Sequence, residues 1–314
     1  MSSLQRARMS GAGALLAVSA LLAAGCGSSS DAGTGTRATP DGGPGKGTVS
    51  VVASTNVYGD IARRIGGGKV EVTSFISDPS QDPHSFEASA RTRLALSEAG
   101  VVIENGGGYD DFMDTLLKGA GSKATVLNAV EVSGKTAPAG TELNEHVWYD
   151  LPSVGLLADR ISAALGEADP AGAPAYTANA RAFKAELKTL EEKVAALKAA
   201  HAGEGVAITE PVPVYLLEAA GLENRTPEEF SEAIEEGGDV PPRVLRDTLA
   251  LVGEKKVKAL VSNAQTGGAE TEQLEKAAKE GGVPVVPVTE TLPEGAGYIS
   301  WMDGTIAALR KALS

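Results

Sequence analysis

Residues Ala173–His201, APAYTANARAFKAELKTLEEKVAALKAAH, decide how the chain is organised, because no other stretch reads as one long uninterrupted helix. Tyr176, Ala180, Phe183, Leu187, Leu190, Val194 and Leu197 recur at alternating spacings of four and three, which sets them on one stripe of a helix. Asp169-Pro170 and Pro174 mark its start, and Gly203 and Gly205 its stop. At about 1.5 Å per residue such a helix reaches roughly 43 Å, more than one ordinary domain needs. On both sides of it β-branched runs alternate with helical runs. The expected fold is α/β: two three-layer α/β lobes joined by one long rigid helix.

The 314 residues are 42% hydrophobic, enough for a sizeable core, and carry a formal charge of −13. That balance speaks against a nucleic-acid partner, which needs a basic face, and suits cations. Arg6 and Arg8 precede the apolar run GAGALLAVSALLAA, Gly11–Ala24, which is too short for a membrane span of about 20 residues and reads as a signal peptide. The run ends in Leu22-Ala-Ala-Gly-Cys26, which resembles a bacterial lipobox, with Ala23 where Leu is commonest. Cys26 is the only cysteine, so neither an internal disulfide nor a cysteine metal site is open to the chain. Lipid attachment at Cys26 would leave residues 26–47, rich in Gly, Ser, Thr and Pro, as a flexible tether on the outer face of the cell membrane. The expected division is 1–25 signal peptide, 26–47 tether, 48–168 N-terminal lobe, 169–201 linking helix and 202–314 C-terminal lobe.

Strands are expected at Val49–Ala53, Val70–Ile76, Val101–Glu104 and Ala124–Leu127 in the first lobe. In the second they are expected at Gly205–Thr209, Val257–Val261 and Val283–Val288. Three sites stand out against this frame. His84 lies in a loop just past a strand, held extended by two Asp-Pro steps, and ligands of open α/β sheets bind at strand ends. His146 lies immediately before a helix start at Pro152. Glu210 ends a strand between Thr209 and Pro211, repeating the placement of His84. His201, at the end of the long helix, reads as exposed and inert. Paired imidazoles with one or two carboxylates suit Zn²⁺ or Mn²⁺, since nitrogen satisfies zinc and oxygen makes manganese acceptable. The Gly106–Gly108 run reads as a tight turn: Asp110 and Asp111 would repel a phosphate.

Taken in order, Asp82-Pro-His-Ser-Phe-Glu87, His146-Val-Trp148, Thr209-Glu210 followed by Tyr215 and Gly221-Leu222, and Tyr298-Ile-Ser-Trp-Met302 resemble the signature of the zinc/manganese-binding solute-binding lipoproteins of bacterial metal ABC importers. The resemblance runs from about Thr48 to the C-terminus. It implies two lobes with a metal in the cleft between them, ligands at His84, His146 and Glu210, and delivery to a membrane permease by a monomer. Relatives often carry an Asp two residues before the last Tyr, where this chain has Ala296. Glu294 is the replacement expected from the same loop, with Glu290 a poorer candidate and water the remaining one. Gln265 and Trp148 are expected to support the site or pack beside it.

The expected function is capture of a divalent transition metal as cargo, with no enzymatic step. Residues 128–144 contain no histidine, which with Glu210 tilts the choice toward manganese, although zinc binds most such sites more tightly. The competing readings are a secreted zinc hydrolase, which lacks an H-E-x-x-H cluster here, and a surface adhesin with an incidental metal.

Overall fold

The computed structural model describes residues 47–78, 86, 89–137 and 142–314. Cys26, the tether up to residue 46 and His84 lie outside the described residues. The first sheet is built from β1 (Val49–Thr55), β2 (Val70–Ile76), β3 (Val101–Glu104) and β4 (Thr125–Asn128). Its strands are all parallel and ordered β2-β1-β3-β4. Helices α1 (Asn56–Gly66), α2 (Ala90–Glu98), α3 (Phe112–Ala120) and α4 (Ala129–Ser133) follow the strands in turn. After a short 3₁₀ turn at Val147–Tyr149 the chain enters α5 (Leu151–Ala168), capped by Asp150, whose Oδ2 accepts from the Ser153 amide.

The long helix forms as α6 (Ala173–His201), and its seven buried residues are the seven of the sequence stripe. Pro174 sits in its first turn, and Tyr176 Oη donates to Asp169 Oδ2 at 2.9 Å, tying the entry loop to the helix. The stripe rests on α5 and α1 on one side. Removing each large apolar side chain of that stripe from water contributes about 1.5–3 kcal/mol.

The second sheet repeats the first. Strands β5 (Gly205–Ile208), β6 (Glu223–Asn224), β7 (Leu260–Asn263) and β8 (Val285–Val288) are parallel and ordered β6-β5-β7-β8. Their helices are α7 (Val214–Ala219), α8 (Glu228–Glu235), α9 (Pro242–Gly253), α10 (Ala269–Gly281) and α11 (Tyr298–Leu313). The second strand expected in this lobe, Val257–Val261, begins later than expected, at Leu260. Strand β6 has two residues and no hydrophobic pattern, which is why periodicity does not find it.

Two small cores cover the outer faces. Val52, Leu96, Val102, Met113 and Leu116 form one, and Phe230, Val252, Leu260, Leu274 and Ala278 form part of the other. The inner faces share a single core that runs from Val51 and Ile61 through Phe183 and Leu190 to Ile208, Val261 and Met302. Helix α11 makes this continuity, since it packs on α6 and also reaches α1 in the first lobe. Its first amide, Tyr298 N, donates to Asp60 Oδ2 at 2.8 Å, and Tyr298 Oη donates to the Trp148 carbonyl at 2.7 Å. Among the described residues no helix is long and apolar enough to cross a membrane.

Candidate metal centre

In each sheet the strand order reverses beside the first strand, and the loops leaving the C-terminal strand ends at such a point form a crevice. The site residues come from those loops. Tyr109 follows β3, His146 follows β4 and α4, Glu210 follows β5, Asn263 ends β7, and Glu290 lies two residues past β8. His84 follows β2 in sequence and lies outside the described residues.

His146 is wholly buried, and its protonation pattern is set by its neighbour. Asn144 Nδ2 donates to the Pro211 carbonyl at 3.0 Å, which orients the amide so that its Oδ1 faces His146. That oxygen accepts from the His146 backbone amide at 3.0 Å and lies 2.8 Å from Nδ1. Nδ1 therefore carries the proton, and Nε2 presents its lone pair. Trp148 and Tyr109 wall the imidazole, with ring centroids 5.0 and 6.0 Å away. Nε2 faces Glu235 Oε1 at 3.4 Å. Ligand atoms of Glu145, His146 and Glu235 all lie within 4.8 Å of one another.

Beside this group sits a pair of buried carboxylates. Glu210 is 2% exposed and Glu290 is 6% exposed, and both are held by one amide: Asn263 Nδ2 donates to Glu210 Oε2 and to Glu290 Oε1, at 2.7 Å each. Tyr109 Oη donates to Glu290 Oε2 at 3.1 Å. Gln265 Oε1 accepts from the amides of Glu290 and Thr291 at 2.6 and 3.0 Å, which fixes the loop that carries the acid. Gln265 thus braces the loop that carries Glu290, and Trp148 packs against the His146 ring.

The electrostatics are one-sided. Burial pushes the Glu235 carboxyl up to about 9, and the fields of Glu145, Glu210, Glu290 and Glu232 add to it. The like charges of these neighbours disfavour the ionised form of Glu235. Glu145 and Glu235 also line a cavity of about 1290 Å³ whose wall carries Glu142, Glu218, Glu228 and Glu232. The one lysine on that wall, Lys135, is committed to Asp150 at 3.2 Å and to the face of the Tyr215 ring.

The structure brings His146 and Glu210 to this region but not Glu294. Glu294 is exposed, and it lines a separate hollow with Asn56, Asp60 and Arg63 on the far side of its loop. Glu290, the poorer candidate from sequence, is the buried acid of that loop. The reason is local: Leu292 is pinned to Asn56 by two hydrogen bonds, 2.9 and 3.1 Å, so the loop turns outward after Thr291. His201 corrects another expectation. It is only part exposed, with Nδ1 3.2 Å from Glu204 Oε2, and it lies at the end of α6 away from the site. Glu235 and Asn263 were missed, since neither stands in a motif. The one available signal was that Asn263, like Glu210, falls at a strand end.

A family model described as zinc-uptake complex component A, periplasmic, matches residues 51–312. Manganese-binding lipoprotein MntA of Bacillus subtilis is 27% identical over 273 residues, covering 82% of this chain and 84% of that protein. The protein of the same name from Halalkalibacterium halodurans is 30% identical over 178 residues. That match covers 57% of this chain and spans little more than half, 56%, of the relative. Among solved structures, the periplasmic zinc-binding protein TroA from Treponema pallidum superposes with a TM-score of 0.72 at 18% identity, covering 85% of this chain and all of that one. This last likeness establishes the two-lobed fold.

Proposed function

Since the chain belongs to the family of the periplasmic zinc-uptake component A, we propose that it captures a divalent transition metal between its lobes and delivers it to an ABC-type permease in the membrane. The cargo is zinc or manganese. Its ligands are His84, His146 and Glu210, with Glu290 taking the place expected of Glu294. Cys26 carries the lipid that anchors the protein to the outer face of the cell membrane, where it works as a monomer.

One observation carries the reading. Glu210 and Glu290 approach from different loops, share a single neutral donor in Asn263 and lie beside an imidazole whose Nδ1 proton is committed to Asn144. Two carboxylates and an imidazole drawn from different loops are a good ligand set for a divalent metal ion. Nitrogen from two histidines and oxygen from two glutamates suit both metals, and zinc is expected to bind the more tightly. The Asn144 contact does for His146 what outer partners do for metal-bound histidines generally, fixing tautomer and orientation.

The test is calorimetric titration of the purified, metal-stripped protein with Zn²⁺ and separately with Mn²⁺. One site of submicromolar affinity is expected, lost in His146→Ala and Glu210→Ala, weakened at least tenfold in Glu290→Ala and unchanged in Glu294→Ala. Failure of the unaltered protein to bind either metal would overturn the reading. Loss confined to Glu294→Ala would return the fourth position to that residue.

A further inference from the structure

We propose that Glu235, on α8, is an additional ligand of the same cation, receiving it from the acidic cavity and closing the shell on the cavity side. The inference rests on the metal-capturing reading above.

The geometry of the pair supports this. His146 Nε2 and Glu235 Oε1 are 3.4 Å apart, a separation that one ion can bridge once the carboxyl gives up its proton. Metal–nitrogen and metal–oxygen bonds of about 2.1 Å put neighbouring ligand atoms about 3.0 Å apart at a right angle and about 3.4 Å at a wider one, within reach of the expanded shells zinc adopts. The pair therefore has the separation of one edge of such a shell. Glu145, adjacent to His146 in sequence, has an oxygen within 4.8 Å of both atoms and completes a face.

Position supplies the second argument. Glu210 and Glu290 are buried and leave from strand ends, whereas Glu235 ends a helix whose opposite face packs Phe230 and Ile234 into the outer core of the second lobe. Glu235 and Glu145 are common to the cavity wall and to the surroundings of His146. A cation entering through the cavity meets carboxylates at every step, and the last of them already faces the imidazole lone pair. Strong oxygen ligands of this kind raise the capture rate by focusing the field on the mouth of the site.

The experiment compares the unaltered protein with Glu235→Gln, Glu235→Ala, Glu229→Gln and His146→Ala. Glu229 is exposed on the same helix and does not line the cavity, so its variant removes the same charge without touching the pair. Stripped protein is titrated with Zn²⁺, and the Co²⁺-loaded protein is examined by visible absorption, which reports coordination number and geometry. Glu235→Gln and Glu235→Ala are expected to keep one site, to bind Zn²⁺ at least tenfold more weakly and to change the Co²⁺ bands. Glu229→Gln is expected to stay within twofold of the unaltered protein with unchanged bands. If His146→Ala abolishes binding while both Glu235 variants match the unaltered protein in affinity and spectrum, the inference falls and the receptor reading stands. If Glu229→Gln weakens binding as much as Glu235→Gln with no spectral change in either, the effect is one of net charge and the inference falls. Absence of binding in the unaltered protein overturns both.

Discussion

Tyr109, from the first lobe, donates its hydroxyl hydrogen to Glu290 of the second at 3.1 Å, so a residue of the aromatic wall holds an acid of the proposed metal site. Both partners are buried. Tyr109→Phe removes this bond and little volume. It is expected to lower metal affinity roughly fivefold and stability by about 1 kcal/mol, the usual worth of one buried hydrogen bond. Calorimetry and urea denaturation of the same samples measure the two effects. An unchanged affinity would mean that the Tyr109 bond plays no part in positioning Glu290.

Asn263 bridges two carboxylates, and its replacement separates metal-free from metal-loaded behaviour. Asn263→Ala strips a donor from both Glu210 and Glu290. The metal-free protein is expected to lose about 2 kcal/mol or more, since buried bonds to charged groups are worth roughly 1.5–3 kcal/mol each. Saturating Zn²⁺ should restore much of the loss by neutralising the pair. Thermal melts with chelator and with metal distinguish this from a packing defect, which metal would not repair.

Asn144→Leu leaves His146 without the acceptor that fixes its Nδ1 proton. Loss of such an outer contact typically lowers metal affinity about 10–100-fold. The same titration reads it, and a fall of under twofold would remove Asn144 from the site's support.

The acidity of Glu235 sets a pH dependence of known sign. Its carboxyl lies at about 9 against an ordinary 4.5, raised first by burial and then by Glu145, Glu210, Glu290 and Glu232. The folded protein binds this proton more tightly than the unfolded chain. The stability it contributes is full below about pH 4.5 and is lost as pH rises toward about 9. Metal-free protein in chelator should therefore grow less stable between about pH 6 and about pH 9, and Glu235→Gln should flatten that slope. Metal affinity should move the other way, rising with pH as ligands shed protons. Urea midpoints across that range test the first statement, and Zn²⁺ titrations the second.

How much of this was legible in the sequence depended on periodicity. The stripe of α6 was visible because seven apolar residues obey one period over 29 positions, and all seven are buried. His146 and Glu210 were visible because they flank element boundaries. Glu290 was ranked below Glu294 because spacing along a loop says nothing of which way it turns; the Asn56–Leu292 pairing that turns it joins residues 236 positions apart. Glu235 was invisible for a similar reason. It sits among Glu232 and Glu236 in a run that reads as a solvated helix face, and only the packing of Phe230 and Ile234 decides which glutamate turns inward.

The shared inner core bears on the order in which the molecule is completed. Val51 and Ile61 near the start of the described chain are covered by the same cluster as Met302 and Leu309 near its end. The first lobe's inner face is thus covered in part by a helix whose first amide bonds Asp60 across 238 positions of chain. Contacts this distant along the chain are slow to form, so this part of the cover is expected to close late in folding.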